Sequence, residues 1–362
     1  MKQHQVILLL VIPILVVAAA FTSVTMTTIS NRGFAQTSNI TDTDIKEYQF
    51  ITKWGSLGTE PGQFDGQNNV AGPGEFIYVP DYHNQRIQKF TNDGQFINMW
   101  GGSYGEADGE FKNPHGVALD SEGNLYVSER SGLRIQKFDP DGNFITKWGS
   151  EGTDDGQFQH LHDIAVGPGG NGSGSVSGSG STSQDVNITE FSIGNGNTSQ
   201  SDGNEFVYVT DNELFNVQKF TTIGEFVTSW GSEGDGEGQF ASLESLDVDS
   251  NGNVYVADFG NNRIQKFTTD GTFVSSWGFE GSEQGQLDGP SGLAVDNEDN
   301  VYVTENDNHR IQKFTSDGEF LISWGSEGTE DGQFNRPEGI DVDPLGRVIV
   351  ADTGNNRIQV FG

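Results

Sequence analysis

The pentapeptide Arg-Ile-Gln-Lys-Phe stands at Arg86–Phe90, Arg134–Phe138, Arg263–Phe267 and Arg310–Phe314, and close variants occupy Asn216–Phe220 and Arg357–Phe361. Successive copies begin 48, 82, 47, 47 and 47 residues apart. A fixed period of this size marks an array of one supersecondary unit. The step of 82 is one period plus 35, so the third of six units carries an insertion.

The fourth unit is the clearest copy. Short runs at Ser245–Asp249, Val254–Asp258, Arg263–Phe267 and Thr272–Trp277 are rich in β-branched and aromatic residues, and Gly, Asn and Asp turns separate them. This reads as strand–turn–strand throughout, with no window of helical period. Four antiparallel strands per unit, here called a to d, repeated six times, predict an all-β fold. That fold is a six-bladed β-propeller of four-stranded antiparallel blades. The sixth unit stops at Phe361-Gly362, after its third strand, while Tyr48–Trp54 (YQFITKW) matches Gly142–Trp148 (GNFITKW). The N-terminal strand is therefore expected to complete the last blade, which removes a free edge and ties the termini together. Tryptophans at 54, 100, 148, 230, 277 and 324 then fall one to a blade.

Charge narrows the function classes. Asp and Glu number 52 against 19 Lys and Arg, a formal net charge of −33. Such a chain repels phosphate backbones, which excludes nucleic acid as a partner and favours a cationic one. The absence of cysteine excludes disulfides, thiol chemistry and a zinc-binding RING-type module. At the N-terminus, Lys2 precedes an apolar run from Val6 to Phe21, broken by Pro13, and Gly33-Phe34-Ala35 offers small residues ahead of Gln36. Residues 1–35 thus read as a signal peptide or an N-terminal anchor, 36–47 as a linker and 48–362 as the propeller. The expected location is secreted or cell-surface, with membrane contact only through an uncleaved N-terminal segment.

The recurring string GQF, then Pro-x-Gly, then an Asp-x-x-Gly-Asn turn, Tyr-Val and finally Asn-Arg-Ile-Gln-Lys-Phe resembles the NHL repeat, from Tyr48 to Gly362. The resemblance implies a six-bladed propeller with strand a lining a central channel, the b–c and d–a loops on one face and the a–b and c–d loops on the other. Some NHL proteins bind RNA or carry ubiquitin-ligase modules; the charge and the missing cysteines argue against both here.

Most repeated residues read as scaffold. Phe64, Phe111, Phe158, Phe240, Leu287 and Phe334 are expected to fill the gaps between blades. Asp81, Glu129, Asp258, Glu305 and Asp352 each precede an arginine by five positions, which predicts an ion pair across each b–c hairpin. Blade three keeps Asp211 but has Asn216 in place of the arginine, which leaves that carboxylate unpaired in this reading. Its insertion, 169–203, is dominated by Gly, Ser, Asn and Thr and is expected to be a flexible loop. Asn171, Asn187 and Asn197 begin glycosylation sequons there, and Asn39 begins a fourth in the tail.

Chemistry is sought where the repeat varies. The residue just before strand a is Asn68, His115, His162, Glu244, Ser291 and Glu338 in blades one to six, which forms a ring at the channel mouth. His115, His162 and Glu244 suit zinc or another divalent cation. His160 and Asp163 flank them, and His83 and His309 lie in b–c loops of the same face. Pro114-His115-Gly116 and His162-Asp163-Ile164 resemble the zinc-ligand segments of peptidylglycine amidating lyases, which implies metal-ligand positions for both histidines. Here, however, the histidines sit on adjacent blades and Glu244 follows instead of a third histidine. Asp247 and Asp341 are channel acids of the kind a calcium-dependent lactonase-like propeller would use. No P-loop or Gly-x-Ser-x-Gly elbow is present, and Asp249–Asn253 reads as an ordinary a–b turn. The reading is an exported, non-enzymatic scaffold that binds a protein, peptide or glycan. A metal-dependent lyase or hydrolase at the channel mouth is the alternative.

Overall fold

The computed structural model of the chain describes residues 48–72, 74–169 and 205–362. The signal or anchor segment 1–35, the linker 36–47, the sequons at Asn39, Asn171, Asn187 and Asn197, and all of the insertion except Gly169 lie outside the described residues. What is described is a ring of six small antiparallel sheets. The chain enters at β1 (Phe50–Trp54). Blade one follows with β2 (Phe76–Asp81), β3 (Arg86–Thr91) and β4 (Phe96–Gly101). Blade two is β5 (Pro114–Leu119), β6 (Leu125–Glu129), β7 (Arg134–Phe138) and β8 (Phe144–Trp148). Blade three is β9 (Leu161–Pro168), β10 (Glu205–Asp211), β11 (Asn216–Thr221) and β12 (Phe226–Trp230). Blades four and five are β13 (Leu243–Val248) to β16 (Phe273–Trp277) and β17 (Pro290–Val295) to β20 (Phe320–Trp324). Blade six is β21 (Pro337–Val342), β22 (Val348–Asp352) and β23 (Arg357–Phe361), and β1 pairs with β23 as its fourth strand. In blade one the innermost strand shrinks to Ala71, which exchanges both backbone hydrogen bonds with Tyr78 at 3.0 and 2.8 Å. No α-helix occurs among the described residues, and none there is long and apolar enough to cross a membrane.

The core is six wedges, one between each pair of neighbouring blades. Blade four gives Tyr255, Ala257 and Ile264 to the wedge it shares with blade five, which answers with Leu293, Val301, Val303 and Phe314. Phe64, Phe111, Phe158, Phe240, Leu287 and Phe334 are all fully buried at the wedges' mouth-side ends. Each tryptophan closes the outer side by packing on the c–d turn of the next blade. Those turns need glycine twice over: Gly271 has a φ of +83°, and a Cβ there would sit 2.5 Å from the Trp230 indole. Trp324 has no such turn to meet, because the chain ends in blade six. Tyr48 stacks on it instead at 4.4 Å, and its hydroxyl shares a 2.6 Å hydrogen bond with the Tyr302 hydroxyl.

The arginine of the pentapeptide does more than pin its hairpin. Arg357 Nε donates to Asp352 Oδ2 at 2.6 Å, Nη1 donates to the Thr329 carbonyl at 2.6 Å, and Nη2 donates to the carbonyls of Glu330 and Gln333 at 2.9 and 2.8 Å. The guanidinium thus clamps the preceding d–a loop onto the b–c hairpin. Gln359 completes the clamp, with Nε2 donating to Gln333 O and Asp352 Oδ2 and Oε1 accepting from Gly332 N. Arg86, Arg134, Arg263 and Arg310 repeat the arrangement. The acids are fully buried; desolvation raises the Asp81 and Glu129 carboxyls above their ordinary range, and Arg86 and Arg134 pull them back.

Asp211 corrects the sequence reading, because its carboxylate is not unpaired. It accepts from the backbone N–H groups of Gln159, His160, Glu213 and Leu214 at 2.7 to 3.1 Å. The Gln159 amide makes the bond that each hairpin acid makes, the other three amides take the place of the guanidinium at the carboxylate, and the orphan is the Asn216 Oδ1, which is buried without a hydrogen bond.

Removing a clamp arginine leaves a buried carboxylate without its cation and takes a donor from each of three loop carbonyls. Arg263→Ala is therefore expected to cost about 3 kcal/mol in urea unfolding, whereas Lys53→Ala, which removes an exposed ion pair to Asp331, costs less than about 1 kcal/mol. Equal losses for the two would contradict the clamp. Ring closure makes a second expectation: Tyr48→Ala lowers stability by about 3 kcal/mol through lost stacking and burial, read as a fall in the urea midpoint.

Candidate functional site: the channel mouth

Each d–a loop feeds strand a at the central axis, and the ring residues placed just before that strand by the repeat are its second residue in blades two to six, because pairing begins one residue earlier. Asn68, His115, His162, Glu244, Ser291 and Glu338 accordingly line one small cavity of about 20 Å³. The ring deduced from the repeat is assembled as expected. Below it, a larger cavity of about 300 Å³ runs along the channel, walled by strand a of every blade. Asn69, Asp163 and Ser245 line both cavities and form a waist between them.

Asp163 makes that waist. Its Oδ1 accepts from Asn69 Nδ2 of blade one at 2.6 Å, and its Oδ2 accepts from Ser245 Oγ of blade four at 2.5 Å. Its reach across blade two depends on Gly116, where a Cβ would lie 2.7 Å from Asp163 Oδ1. Deeper down, Asp247 accepts from Val248 N and Val295 N at 2.8 and 2.7 Å, and Asp341 from Val342 N and Gly72 N at 2.7 and 2.6 Å. Both carboxylates join their own innermost strand to that of the next blade, which is a structural use for the acids singled out as cation candidates. Asp249 likewise accepts from Asn251 N and Asn253 N, as an ordinary turn does.

At the mouth the imidazoles of His115 and His162 lie 4.1 Å apart, centre to centre. His162 Nδ1 is 2.7 Å from the Glu244 carbonyl, which can only accept, so Nδ1 carries the hydrogen and Nε2 presents its lone pair to Glu244 Oε2 at 3.1 Å. Burial pushes His162 down to about 4, with Arg130 adding to the effect, and burial pushes Glu244 up to about 7. Below about pH 7 the proton between carboxyl and imidazole is therefore held on the carboxyl oxygen. His115 is driven well below the usual imidazole range by burial and by His162. With the Asn68 amide in the orientation that satisfies both ends, His115 Nε2 donates to Asn68 Oδ1 and Asn68 Nδ2 donates to Glu338 Oε2, each at 3.3 Å. Burial and the neighbouring Glu244 lift Glu338 to about 7.

These contacts bear on the metal reading. His162 has both nitrogens engaged, one of them with Glu244 itself, and His115 spends Nε2 on Asn68. Among the described residues no three His, Asp or Glu side chains are grouped to hold a metal ion. His115, His162 and Glu244 are thus brought together, His162 hydrogen-bonded to Glu244 and His115 packed on the His162 ring, and not as a ready ligand set. His160 stands beside them, its Nε2 accepting from Arg130 Nε. His309 Nδ1 accepts from Arg336 N, and exposed His83 packs edge-on to Tyr82. Arg130 and Arg336 are the mouth residues that sequence reasoning missed. The signal was available, since Arg130 directly follows Glu129 where the other copies have Tyr82, Asn212, Phe259, Asn306 and Thr353.

Fold and mouth together define a closed six-bladed propeller with a varied polar ring on one face. The NHL repeat family model matches residues 111–138, 240–267, 287–314 and 334–361, and the chain is an NHL-repeat propeller. No curated protein matches the sequence. Among solved structures it is similar to a Bacteroides thetaiotaomicron protein of unknown function, with TM-score 0.59 and 14% identity over 87% of this chain and 75% of that one. A streptogramin B lyase aligns with TM-score 0.55 and 13% identity over 87% and 97%. A gluconolactonase from Xanthomonas campestris aligns with TM-score 0.54 and 14% identity over 83% and 87%. At such identities the likeness speaks for the fold.

The buried carboxyls make stability depend on pH. Burial, helped by Asp341 and Asp163, pushes Asp247 up to about 8. A carboxyl that holds its proton more tightly in the folded chain stabilises the fold at low pH, and that contribution is lost as pH rises from the unfolded value toward the folded one. Between about pH 6 and pH 8.5, unfolding free energy should therefore fall. Asp247→Asn, though less stable at every pH, should lose less over that window by on the order of 1 kcal/mol. Urea titrations at the two pH values measure it, and parallel losses in both proteins would refute the assignment.

Proposed function

We propose that this chain is an exported binding scaffold whose mouth face takes a protein, peptide or glycan ligand outside the cell. The observation that carries the reading is the size of the cavity that the ring encloses: about 20 Å³, room for roughly one water. A ligand arriving at this face therefore lies across the loops, with the larger cavity beyond the waist closed to it. Loops on a rigid scaffold are where binding residues vary, and the ring varies while the clamp beneath it repeats. Exposed acids in the d–a loops, such as Glu60, Glu106, Glu151, Glu233, Glu280 and Glu327, favour a basic ligand surface. Export rests on the charged start and the apolar run Val6–Phe21.

The alternative is a metal-dependent lyase or hydrolase, which would require His162 and Glu244 to give up their hydrogen bond, and His115 Nε2 its bond to Asn68, for a shared ion. The two are separated by incubating the purified chain with peptide and glycan arrays, recovering the bound species and weighing them. The scaffold reading expects saturable binding of an unaltered ligand, weakened about tenfold or more in His162→Ala with Glu244→Ala. Ligand recovered with a changed mass, and unchanged after His115→Ala with His162→Ala, would replace the scaffold with the enzyme.

A further inference from the structure

The clamp arginine is present in every blade but the third, where Asn216 stands in its place. What surrounds Asn216 is nonetheless built to the common pattern. Asp211 pairs with Asn216 across the hairpin as Asp258 pairs with Arg263 and Asp352 with Arg357. Phe215, just before it, has the same left-handed φ, +52°, as Asn356. The d–a loop is closed by the same backbone bonds, Gly152 N to Phe158 O at 3.0 Å and Gln157 N to Asp154 O at 2.9 Å, as Gly328 N to Phe334 O at 3.0 Å and Gln333 N to Glu330 O at 3.1 Å in blade six. The glutamine half of the clamp is intact: Gln218 Nε2 donates to Gln157 O at 2.7 Å, and Gln218 Oε1 accepts from Gly156 N at 3.0 Å. Loop and hairpin thus face each other in the arrangement that holds a guanidinium elsewhere, while the asparagine side chain ends at the level of an arginine Cδ.

The acceptors that line this gap have lost their donors. In blade six Arg357 donates to the Thr329 and Glu330 carbonyls, and Asn355 Nδ2 donates to Gly328 O at 2.8 Å. The counterparts in blade three are Thr153, Asp154 and Gly152, and Leu214 replaces the asparagine. Among the described residues no N–H donates to the Gly152 or Thr153 carbonyl, and Asp154 O is left with Gln157 N. Asn216 Oδ1 is buried without a hydrogen bond. The hairpin acid Asp211 is fully buried and has backbone amides around it but no lysine or arginine. Asp154, Asp155 and Glu213 are exposed close by in sequence.

We propose that blade three carries an open socket for a guanidinium, and that it takes an arginine side chain of a partner protein. The socket belongs to the rim of one blade and does not depend on what the ring at the axis binds. Loop carbonyls placed for the two Nη groups suit a planar fork, which an ammonium cannot match with its point charge. An anion is refused, because every uncommitted group there is an acceptor or a carboxylate. The exposed acids favour further basic residues beside the arginine. Residues 169–203 contain no arginine, and apart from Arg32, in the segment read as a signal peptide or anchor, every arginine of the chain is bonded elsewhere. The group therefore comes from another molecule.

The test uses the purified chain and two fluorescent heptapeptides that differ only at the centre, arginine in one and lysine in the other, with a glycine and two lysines on each side. Their charges are equal, so anisotropy titrations compare a fork with a point cation. The arginine peptide should bind about tenfold tighter. The preference should vanish in Asn216→Arg, which fills the socket with the side chain that the other five blades use, and persist in Lys53→Gln, whose cation lies in an exposed pair on blade six. Asn216→Arg should also unfold at higher urea than wild type, because its Nη groups return donors to the loop carbonyls. Should that variant not fold, Asn216→Lys puts a side chain into the same gap and serves the comparison. Equal binding of the two peptides, or a preference that survives in Asn216→Arg, would overturn the socket. Free ethylguanidinium bound as tightly as the arginine peptide would overturn the partner's side chain as the ligand while upholding the group recognised.

Discussion

The guanidinium clamp is the interaction on which the rest of the molecule depends. A propeller blade holds its own strands together by backbone hydrogen bonds, but nothing in a sheet fixes the long d–a connection that delivers the next blade. One arginine at the start of strand c solves this by spending Nε on the hairpin acid and its other donors on loop carbonyls. The acid in turn accepts the backbone N–H just beyond the loop, as Asp258 does from Ala241. Charge is buried here, but with its donors and acceptors met, which is the condition under which a buried pair is tolerable. The glutamine two residues on takes the same carbonyl as the arginine. Blade three shows that the carboxylate's requirement is for donors and not for arginine as such, since backbone amides surround Asp211, while Gln218 still donates to the loop carbonyl of Gln157.

Because the loops are fixed, the ring at the axis is a set of six side chains that differ in kind on a common frame. That frame also explains why the channel is no conduit. Asp163 reaches across a glycine to blade one and sideways to blade four, and its bonds close the waist between the mouth and the deeper cavity. Asp247 and Asp341 then bridge successive innermost strands, whose inward edges would otherwise present unpaired N–H groups. The acids along the channel thus belong to the architecture, while the groups that remain uncommitted collect at one end.

What could be read from the sequence and what could not follows a physical line. The period, the blade count, the closure by Tyr48–Trp54, the buried Phe of each d–a loop and the Asp/Glu–Arg pair were legible, because each is a local pattern repeated at fixed spacing. The ring positions were legible for the same reason. The lysine of the pentapeptide was not: Lys266 lies over the Tyr255 ring and donates to Ser316 O of the next blade, a relation between units that spacing alone does not display. The exception confirms the coupling, since blade six replaces Lys with Val360 and the facing Tyr with Ile349, and both sink into an apolar wedge. Asp211 was misread because its partners are backbone amides, which leave no mark in a sequence. His115 and His162 were rightly brought together, yet their tautomers and hydrogen bonds, which decide whether they present lone pairs to an ion, arise from Asn68 and the Glu244 carbonyl on other blades.

Charge illustrates the same separation between composition and geometry. The net excess of acid is displayed on the exposed d–a loops. At the axis a clamp repeated around the ring consumes cations in register, and only a break in the repeat places one outside it. Arg130 sits where the other blades place uncharged residues, and Arg336 precedes the proline of the last blade where the equivalent residues are Gly66, Asn113, His160, Ser242 and Gly289. A fold that must satisfy each unit's charges internally therefore makes every unsatisfied charge conspicuous. The departure from symmetry, and not the overall sign, is what sets the electrostatics of the mouth.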